Sequence, residues 1–345
     1  MNTLAASRSN TPTSLSHMAS TPRRGLFARH PELFTLILIV LVSTVVGSIN
    51  PNFFEVSTVF DILRSSTVTG LFALGVLIVL AAGGIDVSFT AIAVLCMYAI
   101  TKAVLRYWPE APFVLILFCG AWIGALLGVC NGYLIHRLKA PSLIVTIGTQ
   151  YLLRGFLLTF VGTLFFMEIP KSMDGFGRLA LINYVAPAGT TAVLPGSVLV
   201  LVVAAAVTWF LLNRTLMGRA IYAMGGNLAI AERLGYNLRV VHVFVFGYVG
   251  LLAGIGGIVH ASTIRLASPF DLVGSEMDVI AAVILGGARI TGGTGTVTGT
   301  LLGVILVTLI NNVMILAGVP STWQKVVIGA FILLAGAVFA ARGKK

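Results

Sequence analysis

The chain reads as an all-α polytopic membrane protein of about ten transmembrane helices, and three observations lead there. First, 58% of its 345 residues are hydrophobic and only 10% are charged. A soluble domain carries about 25% charged residues, so this chain cannot maintain a solvated surface and lipid must be its solvent. Second, the apolar residues form runs long enough to cross a core about 30 Å thick at about 1.5 Å per helical residue. Third, the basic residues cluster in alternate gaps between those runs.

Spans are expected near 33–49, 62–82, 87–105, 112–135, 142–161, 193–212, 240–262, 274–290, 297–317 and 322–341. Residues 1–30 are rich in Ser, Thr and Arg, with no acid before Glu32, and read as a disordered cytoplasmic tail. Residues 31–341 then form the membrane domain and 342–345 a cytoplasmic tail. An even number of spans puts both termini on one side. With that side cytoplasmic, 14 of the 22 basic residues fall inside, including Arg23, Arg24, Arg137, Lys139, Arg214, Arg219, Arg233 and Arg239. The inverted topology would place the densest basic loop, 213–239, outside. The net charge of +11 therefore reflects orientation in a membrane, and not nucleic-acid binding.

Enzyme chemistry finds no support. No hydrophilic stretch is long enough for a catalytic or nucleotide-binding domain. GGARITGGTGTVTGT (286–300) lacks the lysine of a phosphate loop, so any ATP must be bound by a partner, and no cofactor is expected on this chain. Cys96, Cys119 and Cys130 lie singly in apolar spans and read as packing residues, without a metal site or a disulfide. Most of the 38 glycines serve close helix packing. Gly83-Gly84 and the pairs flanking Arg289 differ, because they fall where a span ends or is interrupted.

Function must then be sought at helix breaks, in loops and inside the bundle. In AAGGIDVS (81–88), Asp86 follows two glycines where a helix should stop and restart. It either caps the next helix or touches a transport pathway. Asn131, within the span 112–135, and Thr146, Thr149 and Gln150 in the next are further candidates for that pathway, and Thr146, Thr149 or Gln150, and Arg154 share one helix face at helical spacing. Such a stripe suits a hydroxylated solute or interhelical hydrogen bonds. In the loop 213–239, Asn227 is a good N-cap and Gly235 a good left-handed stop, bracketing a short helix over 228–234. Ile230, Ala231 and Leu234 give it an apolar face beside Glu232 and Arg233. Such a helix either docks on a cytoplasmic partner or folds back onto the bundle or lipid. Glu276 and Asp278 begin a later span, where they favour the helix N-terminus.

At these residues the chain resembles the permease subunit of ribose-type sugar ABC importers, a family that includes ribose, xylose, arabinose, galactose and autoinducer-2 permeases. The resemblance runs through GGIDVS (83–88), NGYLIHRLKAPSLIVTIGT (131–149), LMGRAIYAMGGNLAIAERLGYN (216–237), MDVIAAVILGGARITGGTGTVTGTLLG (277–303) and WQKVVIGAFILLA (323–335). It implies the ABC importer permease fold, a cytoplasmic ATPase, an extracytoplasmic sugar-binding protein and a second permease copy, identical or paralogous. It also implies that 216–237, with Gly218 and Arg219, contacts the ATPase. The chain departs from the family at Phe89-Thr90, where a Val-Gly type pair is usual, at Arg289-Ile290 in place of Ser-Leu, and most of all over 163–192.

The expected function is thus ATP-energised translocation of a monosaccharide or polyol. The alternative is a secondary transporter driven by an ion gradient. That would need charged groups near the middle of the membrane, whereas the acids here fall almost wholly at span ends. A branched-chain amino-acid permease fits the glycine motifs less well.

Overall fold

The computed structural model describes residues 32–185, 191–316, 320, 323–331 and 333. The tails 1–30 and 342–345, and most of the last expected span, lie outside the described residues.

The helices in chain order are α1 (Glu32–Ile49), α2 (Val56–Ala81), α3 (Phe89–Tyr107), α4 (Phe113–Leu138) and α5 (Ser142–Phe156), the last extended by a π turn, Leu157–Val161. A short helix α6 (Lys171–Gly177) and the strands β1 (Ala180–Val185) and β2 (Thr191–Pro195) precede α7 (Ser197–Arg214). Then come α8 (Leu216–Gly226), α9 (Leu228–Arg233), α10 (Leu238–Ile264), α11 (Glu276–Leu285) and α12 (Val297–Leu316). Among the described residues, six helices are long and apolar enough to cross a bilayer, and α1 and α12 contain shorter apolar runs.

Burial sorts the helices into an inner and an outer set. In their most apolar stretches α2, α3 and α10 are 67% buried, whereas α4 and α5 are 22% and 17% buried. The outer helices turn Phe118, Trp122, Leu126, Tyr151, Leu152, Val202 and Phe210 outward. In water such a belt would be an aggregation surface, but against lipid or a second copy it is the expected finish.

The closest helix contact is between α4 and α10. Gly120, Gly124, Gly128 and Gly132 recur every fourth residue, which puts them on one face of α4. A methyl group on Gly124 would lie 2.2 Å from the Gly250 carbonyl oxygen, and one on Gly128 would lie 2.1 Å from that of Phe246. The helices touch backbone to backbone, as small residues permit in a membrane.

Two expectations change. An all-α chain leaves residues 163–192, between two expected spans, without strands. They contain α6, a bridge between Phe166 and Ala267, and the first strand of an antiparallel hairpin that pairs Asn183 with Val193 and Tyr184 with Ala192. The β-branched and aromatic run favours strands, and pairing satisfies its backbone groups. The span expected at 274–290 is a helix of only 10 residues, α11, about 15 Å long and half a bilayer core. Gly287, Gly292, Gly293 and Gly295 adopt positive φ in the irregular stretch that follows. Glycine makes that path accessible.

Candidate functional site

Helix α2 ends at Ala81 and is closed by Ala82, Gly83 and Gly84, whose N–H groups donate to the carbonyls of Ile78, Leu80 and Val79; residues 85–88 then lead to α3 outside the helical hydrogen-bond ladders. Side chains of α4 and α5 replace them. Ser142 Oγ accepts from Ile85 N–H at 2.9 Å, and Thr146 Oγ1 lies 3.4 Å from both Val87 N and Ile85 O. Asp86 Oδ1 accepts from Ser88 N–H at 2.7 Å and from Ser88 Oγ at 2.6 Å, while Asn131 Nδ2 donates to Ser88 Oγ at 2.8 Å. Asp86, Asn131 and Thr146 are therefore brought together around one break, all buried. Asp86 holds the turn that leads into α3, and its Oδ2 is buried without a hydrogen-bond partner.

The stripe on α5 divides. Thr146 turns to the break, and Thr149 bonds back to the Thr146 carbonyl of its own helix at 3.2 Å. Gln150 and Arg154 reach Glu276, at the start of α11. Gln150 Nε2 donates at 2.7 Å, Arg154 at 2.9 Å and Thr90 Oγ1 at 2.5 Å, all to Glu276 Oε1. Glu276 is 6% exposed. Its role goes well beyond favouring a helix N-terminus. Sequence reading missed the pair, although an intramembrane acid and an intramembrane base are mutual candidates wherever both occur.

On the cytoplasmic side of the expected topology, Asn227 Oδ1 accepts from Ile230 N–H at 3.1 Å, and Gly235 has φ +84°. The helix ends at Arg233, one residue earlier than read, with Leu234 as its C-cap. Its expected apolar face is split. Ala231 is fully buried, whereas Ile230 and Leu234 are 53% and 65% exposed. Arg219, Glu232 and Asn227 are exposed as well. Gly218 packs inside, where a methyl group would lie 2.2 Å from the Leu212 carbonyl oxygen.

Three glycine pairs join this loop to the break. A methyl group on Gly292 would lie 2.7 Å from both Gly83 Cα and the Gly225 carbonyl oxygen, and Gly293 N–H donates to Ala81 O at 2.9 Å. Tyr222 Oη donates to Gly295 O at 2.7 Å across the same junction. A cavity of ≈340 Å³ opens there, bounded by Gly83, Ser142, Gly226, Asn227 and His242. A second, of ≈620 Å³ and lined by Arg64, Thr69, His260 and Arg265, lies at the opposite ends of α2 and α10.

Long buried helices around a sealed break, with a polar cluster deep between them, describe a membrane transport protein. The chain belongs to the family described as the branched-chain amino acid transport system / permease component, whose model matches residues 58–336. This is a transport permease family, not an enzyme family. The chain is 33% identical over 306 residues to the ribose import permease protein of Haemophilus influenzae, covering 88% of this chain and 91% of that one. It is 30% identical over 307 residues to the ribose import permease protein of Escherichia coli K12, covering 88% and 92%. Against the autoinducer 2 import system permease protein of Klebsiella pneumoniae it is 35% identical over 305 residues, covering 88% and 85%. No solved structure matches the chain significantly.

Proposed function

We propose that this chain is the translocating subunit of an ATP-driven importer for a monosaccharide or a related polyol. A separate cytoplasmic ATPase would energise it, an extracytoplasmic binding protein would deliver the solute, and a second permease copy would complete the pathway. The observation that carries this reading is α9, a capped six-residue helix in a basic loop that exposes Ile230 and Leu234. Exposed apolar side chains on a short fixed helix are the form of a helix-in-groove contact. The full-length likeness to relatives named ribose import permeases supports the solute class.

In this reading Arg219, Asn227, Ile230, Glu232, Leu234 and Gly235 form or shape the docking surface, and Gly218 and Ala231 anchor it. Docking moves α8 and α9. The glycine junction passes that motion to residues 82–88, so Asp86, Asn131 and Thr146 shift together. Thr149 and Gln150 lie further along α5, toward the solute path. Membrane lipid covers the outer apolar belt.

The test is ATP hydrolysis in proteoliposomes by the chain assembled with its ATPase and binding protein, across pentoses, hexoses and polyols. Stimulation by a sugar, lost with Leu234→Asp, is the expected outcome. Uptake that survives ATP depletion but collapses with a protonophore would replace this reading with the ion-gradient one.

A further inference from the structure

The Glu276 cluster lies at a depth that two helices measure independently. Gln150 is the ninth and Arg154 the thirteenth of the 20 residues in the span Ser142–Val161, so they sit about 12 and 18 Å from its start. Measured from the same side on another helix, Thr35 near the start of α1 donates to the Leu285 carbonyl. Glu276 lies at the opposite end of α11 from Leu285, nine residues or about 13 Å away. Both routes end near the bilayer midplane.

A carboxylate and a guanidinium at that depth are costly to place. As a structural staple the pair is a poor choice, because packed apolar residues often stabilise a core equally well. The cluster is also open on one side. The Arg154 side chain is 24% exposed and Gln150 is partly exposed, on a helix face otherwise carrying Ile147 and Tyr151. Lipid cannot satisfy those donors, so this opening faces the pathway or the second copy. All three donors converge on Glu276 Oε1, leaving Oε2 outside those bonds.

We propose that Glu276, Arg154 and Gln150 form a midplane recognition site for the vicinal diol of a neutral sugar. One hydroxyl donates to Glu276 Oε2, and its neighbour accepts from Arg154 or Gln150. Carboxylate and guanidinium cancel in charge, so the site suits an uncharged polyol better than an ion. It binds weakly enough for release because Thr90, Gln150 and Arg154 can close back onto the carboxylate. The inference rests on the importer reading above and adds the group that reads the solute.

The experiment measures uptake of D-ribose and D-galactose, each against its monodeoxy analogues, by the full complex in proteoliposomes. Discrimination is the ratio of parent to deoxy uptake. The binding protein contributes equally to wild type and variant, so its selectivity cancels in the comparison. With Glu276→Gln, discrimination at one hydroxyl should shrink about tenfold, the loss of one hydrogen bond to a charged group. Half-saturation should rise more than the maximal rate falls. If Glu276→Gln does not co-purify with the ATPase, Gln150→Leu carries the same measurement. Unchanged discrimination despite slower uptake would overturn the site, as would full transport by the exchanged pair Glu276→Arg with Arg154→Glu, because either outcome makes the pair a staple. Absence of uptake of both parent sugars by wild type would instead overturn the sugar-importer reading.

Discussion

At the residue scale, the break is held by backbone bonds from Ala82, Gly83 and Gly84 and by side chains that meet Ile85, Val87 and Ser88. Asn131 is the least replaceable of these partners. Ser88 Oγ already donates to Asp86, so it needs Asn131 as its donor. Asn131→Leu should destabilise the protein by about 1–3 kcal/mol, the cost of an unsatisfied buried polar group. A lower melting temperature in detergent would register it, and an unchanged one would mean that the contact does not support the break. At Gly235 the space is open, but φ is +84°. Gly235→Val forces a β-branched residue into the left-handed region at about 1–2 kcal/mol or more. It should reduce ATPase co-purification through the backbone, since a Cβ there meets nothing within 4 Å.

At the element scale, α4 and α10 depend on the glycine ladder. Gly124→Val would drive side-chain atoms into the Gly250 carbonyl and push the helices apart. The yield of folded protein should fall sharply. Gly148→Ala, which meets nothing within 4 Å, is the matched control and should be neutral. Helix α9 works the other way, through what it leaves exposed. Leu234→Asp should abolish ATPase co-purification while membrane insertion remains, since a charge on a 65% exposed side chain costs little in the free subunit. Retained co-purification would remove α9 from the docking surface.

For the whole molecule, orientation and assembly decide whether these parts cooperate. Basic residues crowd the loop carrying α8 and α9, so that loop should be cytoplasmic and α6 extracytoplasmic. In a background with Cys96, Cys119 and Cys130 replaced by alanine, Lys171→Cys should react with an impermeant maleimide in intact cells. Glu232→Cys should react only in inverted membranes. The opposite pattern would invert the topology and sink the docking model.

Much of this was legible in the sequence because its physical causes are local. Low charge content and long apolar runs dictate a membrane solvent. Side-chain chemistry and φ preference mark Asn227 and Gly235 as the bounds of α9, and paired glycines beside Asp86 mark a helix break. What needed the tertiary structure is what depends on distant segments meeting. Residues 163–192 carry no periodic signal as strong as a span, so α6 and the hairpin were hidden. The half length of α11 was masked because its apolar run continues into glycines that no longer form a helix. Above all, Glu276 is 122 residues from Arg154 and 186 from Thr90. Sequence alone left that acid as a helix-end charge. Only the packing of α3, α5 and α11 brought its partners to it, because a buried charge is defined by its neighbours in space and not in the chain.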